Sequence, residues 1–218
     1  MGNFIDYLNT LHRCNSNNKN ATAEANFQSE FSKDILVEDL DVISTICNGL
    51  YSDNGKVLLT GFAGDGKTTL AQQVVKKVAY GAQLTKPIQV FGETTLSKAL
   101  VVVKDLSESG TIEEKQTIAE YLLNPEFAVL LVSNTGTILD CLKSIAAKHG
   151  LSEIETESAV LQGIGADSST GIGTIILPNI LITVINLVRH DNLKIAKQVF
   201  YKIIHHPYWT SSPAEKDS

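Results

Sequence analysis

The chain has 218 residues, with 18 Lys and Arg against 24 Asp and Glu for a formal charge of −6, and is 43% hydrophobic and 19% charged. That is enough chain for one sizeable domain with a small appendage, and for a core that needs no disulfide or metal staple. The composition excludes collagen-like, disordered and disulfide-scaffold classes, and the mild acidity argues against tight non-specific nucleic-acid binding through net charge.

Cys14, Cys47 and Cys141 are odd in number and show no Cys-x-x-Cys spacing, so they read as buried thiols in a reducing compartment. The start, MGNFIDYLNTLHRC, lacks the basic start and the apolar run of a secretion signal, and a cytoplasmic location is expected. Ser168 to Val188 is 21 residues long without a charge, which reaches membrane-spanning length. Gly171, Gly173, Pro178, Asn179 and Asn186 interrupt it, so a loop followed by a buried strand is expected rather than a membrane span.

In chain order, a short helix is expected over Phe4–His12, followed by an Asn-rich joint at residues 14–26. Apolar residues at 35, 36, 40, 43, 46 and 50 predict one amphipathic helix over Phe31–Leu50. After a turn at Tyr51–Gly55, the run Val57–Thr60 predicts a strand and Lys67–Ala79 a helix. Strands are expected at Ile88–Phe91, Leu100–Val103 and Phe127–Val132, with helices at Ile112–Leu123 and Thr137–Lys148. Ser152–Gly163 reads as helix and Gly163–Gly173 as a Gly/Ser-rich loop. Ile175–Leu177 and Ile180–Leu187 read as a hairpin-like pair, and Leu193–His205 as a last helix. Strands alternating with helices predict an α/β fold, a parallel sheet with helices on both faces. The expected organisation is an N-terminal helix and joint (residues 1–26), a main α/β domain (27–206) and a disordered tail (207–218).

Gly61-Phe-Ala-Gly-Asp-Gly66-Lys67-Thr68 matches G-x-x-x-x-G-K-[ST] at every fixed position, after an apolar run and before a helical pattern. The spacing has a chemical reason. Small residues let the backbone curl until successive N–H groups converge on phosphate oxygens, and a helix N-terminus adds its positive dipole end. Gly61, Ala63, Gly64, Asp65, Gly66, Lys67, Thr68 and Thr69 are the residues expected around the phosphates of ATP. Lys67 reaches the β- and γ-phosphates, and Thr68 offers a hydroxyl to Mg²⁺.

A metal partner is expected at the end of a neighbouring buried strand, and Asp105 follows the run Leu100–Val103. Asp105 is assigned to Mg²⁺ through water, and Glu108 to polarising the attacking water; the plain alternative for both is an acidic turn after a strand. Asn134 follows a strand expected beside the phosphate strand, where it would orient water or touch the γ-phosphate, or else serve as a turn residue before Thr135-Gly136. Only two arginines occur, Arg13 and Arg189, so Arg189 is the one guanidinium available to the core: a phosphate sensor in its own chain, a finger into a neighbour, or a surface residue. His205-His206 lacks a third ligand nearby and reads as a helix end, not a metal site.

The absence of Asn-Lys-x-Asp and Asp-x-x-Gly argues against Ras-like GTPases, and that of Leu-Ser-Gly-Gly-Gln against transporter ATPases. Over about residues 50–190 the chain resembles the additional-strand P-loop ATPases of the AAA+ and STAND groups. Gly61–Thr68 is similar to Walker A, Val101–Glu108 to Walker B, and Ser133-Asn134 to sensor 1. Leu106 and Ser107 separate two acids that are usually adjacent in AAA+ proteins, and the helical lid of that family is missing or reduced to Leu193–His205. Asn134–Leu139 and Asn186–Arg189 resemble segments of the ATPase component of bacterial phosphorothioation-dependent DNA restriction systems. The resemblance implies an ATPase acting as a conformational switch or motor in a DNA-directed defence complex, with protein partners or homo-oligomerisation and only an indirect role for DNA. Two alternatives stay open: a small-molecule or nucleoside kinase, against which the scarcity of arginine argues, and a nucleotide-gated interaction module with little catalysis.

Overall fold

The computed structural model describes residues 4–12, 30–35, 37, 41–62, 64–104, 111–148, 150, 152–165, 170–190 and 192–210. The chain divides into two compact units, Leu40–His190 and a second made of Met1–Asp39 with Asp191–Ser218.

The larger unit is α/β. Its elements are α3 (Asp41–Tyr51), β1 (Lys56–Thr60), α4 (Lys67–Val78), β2 (Ile88–Phe91), β3 (Ala99–Val103), α5 (Ile112–Leu123), β4 (Phe127–Ser133), α6 (Thr135–Lys148), α7 (Glu153–Gly165), β5 (Ile172–Leu177) and β6 (Ile180–Asn186), closed by a 3₁₀ turn at Leu187–Arg189. The six-stranded sheet has the order β2-β3-β4-β1-β6-β5. The four central strands are mutually parallel, while β2 on β3 and β5 on β6 are antiparallel. The sheet is therefore mixed rather than wholly parallel. Gly92–Lys98 is too short for a crossover between parallel neighbours, and β5 and β6 are joined by the two-residue turn Pro178-Asn179, with Asn179 at φ 62°. The uncharged stretch at 168–188 contributes this hairpin, and among the described residues no helix is long and apolar enough to cross a membrane.

Both faces of the central strands are buried, which is why these runs are continuously apolar. Val57, Leu59, Leu100, Val102, Leu130 and Val132 pack with α3 and α4. The alternate residues Leu58, Val101, Val103, Val129 and Leu131 pack with α5, α6 and α7. Helix starts follow local chemistry. Thr111 and Glu114 form a reciprocal capping box on α5, and Ser152 with Glu155 does the same on α7.

Two details hold the lower end and the outer edge of the sheet. Lys56 is buried at the start of β1, where its ammonium donates to Tyr121 O and Asn124 O at 2.9 Å and to Phe127 O at 2.5 Å. Burial, with a smaller push from Lys98, holds its pKa down to about 8. At the outer edge, the Asn186 N–H donates to Gly171 O at 2.7 Å, so ladder alternation turns the Thr174 carbonyl away from β6. Helix α7 closes on that carbonyl at Gly163, where an added Cβ would lie 2.8 Å from Thr174 O. A helix thus covers the edge strand.

The smaller unit contains α1 (Phe4–His12), α2 (Glu30–Ile35), α8 (Asn192–Ile204) and a 3₁₀ turn at Pro207–Trp209. Phe4, Tyr7 and Ile35 form its core, with Phe31, Ile203 and Tyr208 packed against them. His206 stacks on Phe4 with ring centroids 3.9 Å apart; its Nε2 lies 3.1 Å from Asp34 Oδ2, and its Nδ1 accepts the Tyr208 N–H. Two expectations change here. The single helix over Phe31–Leu50 is two, with Val37 outside either, because Ile35 serves this core whereas Val42 to Leu50 serve the sheet. The tail is ordered through Thr210, since the Trp209 indole donates to Ile203 O at 2.7 Å; residues 211–218 lie outside the described residues.

A candidate phosphate site at the end of the central strands

Strand β1 occupies the middle of the sheet and ends at buried Thr60, delivering the loop at Gly61 and then α4. Gly64 (φ 88°) and Gly66 (φ 76°) sit in the left-handed region, so the loop reverses twice at positions where a side chain would be strained. Gly66 caps α4 with no side-chain bond, and the first bond of the helix runs from Leu70 N–H to Gly66 O at 2.9 Å. The N–H groups of Lys67, Thr68 and Thr69 therefore have no partner within the helix, and they stand at its positive end.

Lys67 folds back over the loop. Its ammonium donates to Gly61 O at 3.1 Å and to Phe62 O at 2.6 Å. An ammonium has three protons, so one is left for a ligand. Asp65, half-buried, accepts the Phe62 N–H at 2.6 Å. Thr68 and Thr69 are half-buried on the first helical turn. Ala63 lies outside the described residues.

The register sets the neighbours. Thr60 pairs with Ser133 of β4 and with Asn186 of β6, so both strands end level with β1. Asn134 consequently leaves β4 beside the loop, and the turn Leu187–Arg189 leaves β6 on its other side. Asn134 Oδ1 accepts from the Thr137 N–H at 3.0 Å and from its hydroxyl at 2.7 Å, capping α6. Thr135-Gly136 is accordingly the first turn of that helix and not a loop. The Asn134 amide nitrogen makes no bond among the described residues, and the side chain is exposed. Arg189 is exposed and has no ion pair among the described residues. Leu187 packs against Gly61, where an added Cβ would lie 3.1 Å from Leu187 Cβ. Lys67, Asn134 and Arg189 are thus brought to one end of the sheet. Asp105 and Glu108, which follow β3, lie outside the described residues.

Thr60, Ser133 and Asn186, which sequence reasoning missed, form a buried polar row across three adjacent strands, on the side facing α5–α7. Ser133 donates to Asn134 O at 2.9 Å; Asn186 donates to Ile164 O at 3.4 Å and accepts from the Val188 N–H at 3.1 Å. The Thr60 hydroxyl has no partner among the described residues. A signal for the row does exist: each residue is the polar last member of an otherwise apolar run.

Elsewhere, burial lowers the pKa of His190 and raises that of Cys141 to about 11. No group of three or more His, Cys, Asp or Glu among the described residues could hold a metal ion. Neither the protein-family models nor the solved structures contain a match to the chain.

Proposed function

We propose that the larger unit is a P-loop module that binds ATP at Gly61–Thr69 and hydrolyses it. The observation that carries this is Lys67. Its ammonium bonds two loop carbonyls and keeps one proton for a phosphate, at the head of a helix whose N-cap is Gly66, a residue with no side chain to bond the first N–H groups. Strand order supports the additional-strand reading, since β4 stands between β1 and β3, the strand preceding Asp105.

In this reading Lys67 and the backbone N–H groups of Gly64, Gly66 and the first turn of α4 hold the β- and γ-phosphates. Glu108 polarises a water, and the free Asn134 amide orients it or the γ-phosphate. Attack of that water on the γ-phosphorus breaks the bond to the β-phosphate oxygen and gives ADP and inorganic phosphate. The Thr68 hydroxyl, on the first turn of α4, fits Mg²⁺, with Asp105 as its partner through water. Bound Mg²⁺ would neutralise phosphate charge, and such a site needs no cluster of three carboxylates because phosphates and water complete it. Arg189, the one arginine of the unit, senses the γ-phosphate in its own chain or in a neighbour in this reading. The process is a nucleotide-driven switch or motor with protein partners or further copies of the chain, in a DNA-directed defence complex that DNA affects indirectly.

Steady-state ATP hydrolysis with Mg²⁺, with and without double-stranded DNA, tests this for the wild type, Lys67→Ala and Glu108→Gln. Turnover that both substitutions abolish is expected. Equal turnover in the wild type and Lys67→Ala would refute the assignment, and ADP formation that requires a phosphoryl acceptor other than water would favour a kinase.

A further inference from the structure

We infer that Asp65 is a positioning residue whose carboxylate braces the phosphate loop from within, building it before a nucleotide arrives; this rests on the P-loop reading above. A carboxylate accepts hydrogen bonds and cannot donate one to a phosphate, and its charge opposes a polyphosphate at the same loop. The Asp65 carboxylate is instead bonded to the loop itself.

The bonds show how. Asp65 Oδ2 accepts the Phe62 N–H at 2.6 Å, and the Asp65 N–H donates to Phe62 O at 3.3 Å, closing the turn from both sides. Phe62 O accepts from Lys67 Nζ at 2.6 Å as well. The peptide groups flanking Phe62 are thus fixed by two residues at once. If the Phe62 N–H were released, the preceding peptide could rotate, and its oxygen is Gly61 O, the second acceptor of the Lys67 ammonium at 3.1 Å. Asp65 in this way holds both carbonyls that aim Lys67. The same placement explains the glycine at position 61, because an added Cβ there would lie 2.7 Å from Asp65 Oδ2. The charge of Asp65 weakens phosphate binding, whereas its brace lowers the ordering cost of binding. Separating charge from acceptor decides which matters.

Asp65→Asn keeps an oxygen that accepts the Phe62 N–H and removes the charge; Asp65→Ala removes both. For ATP binding, Asp65→Asn is expected to match the wild type or bind a few-fold more tightly. Asp65→Ala is expected to bind about tenfold more weakly and turn over more slowly, with an unfolding transition close to wild type. Wild-type affinity in Asp65→Ala would overturn the inference, and so would an equal loss in both variants, which would make the charge the requirement. Amide hydrogen exchange at Phe62 without nucleotide is an independent readout. Exchange is expected to be slow in the wild type and Asp65→Asn and at least tenfold faster in Asp65→Ala; equal rates in all three would overturn the brace. Failure of the wild type to bind ATP would instead refute the P-loop reading and leave the exchange result to decide the brace.

Discussion

Gly163→Ala sets two effects of opposite sign against each other. Gly163 lies within α7, where replacing Gly with Ala raises helix propensity by about 1 kcal/mol. Propensity alone therefore predicts a more stable protein. The added methyl, however, would stand 2.5 Å from Ile175 Cγ1, 2.8 Å from Thr174 O and 2.9 Å from Thr174 C. Ile175 could turn aside, but the Thr174 atoms are backbone, held in β5 by its ladder with β6. Helix and strand must move apart, at an overpacking cost of about 1–3 kcal/mol, on a contact that also covers the sheet edge. Sterics outweigh propensity, and a net loss of about 1–2 kcal/mol is expected, or a melting temperature lower by roughly 2–8 °C. Gly165→Ala is the control on the same helix, because nothing among the described residues lies within 4 Å of its added methyl. Urea unfolding followed by circular dichroism should show Gly163→Ala less stable than the wild type and Gly165→Ala equal or more stable. A Gly163→Ala protein as stable as the wild type would refute the close approach of α7 to β5.

Lys56 gives stability a pH dependence. The unfolded chain, with lysine near 10.5, binds more protons than the folded chain between about 8 and 10.5, so unfolding free energy rises with pH across that window. Between pH 7.5 and 10 the wild type should gain on Lys56→Met by about 2–3 kcal/mol, because each pH unit crossed inside the window contributes about 1.4 kcal/mol; parallel pH curves would contradict the buried ammonium. Asn134 has two roles that substitution can separate. Asn134→Asp keeps the acceptor that caps α6 but loses the amide donor, so it should hold wild-type stability while losing most ATP turnover, whereas Asn134→Ala should also lose about 1 kcal/mol of stability. Wild-type turnover in Asn134→Asp would leave Asn134 as a helix cap alone.

Much of this fold was legible because its signals are local. The bounds of α1, β2 and α5 follow directly from periodicity and turn residues, and the buried runs of β1, β3 and β4 read as strands because both sheet faces are covered. The candidate phosphate loop, Gly61–Thr68, stands out in the sequence because backbone curvature and anion binding demand a fixed pattern of residue types. What stayed hidden depends on partners distant in sequence. The periodicity of Phe31–Leu50 does not reveal that Ile35 and Ile46 belong to different cores. The row Thr60, Ser133 and Asn186 exists only once the register aligns three strand ends. Asp65 reads in sequence as one more member of the loop, and its bond to Phe62 emerges only from the folded turn.

The most direct test of the central claim is a calorimetric titration of Mg·ATP into the wild type and Lys67→Ala. Saturable one-site binding that depends on Mg²⁺ and weakens at least tenfold in Lys67→Ala, about 1.4 kcal/mol or more, is the predicted result. Equal affinity in the two proteins, or no binding to the wild type, would contradict the assignment of Gly61–Thr69 as the nucleotide site.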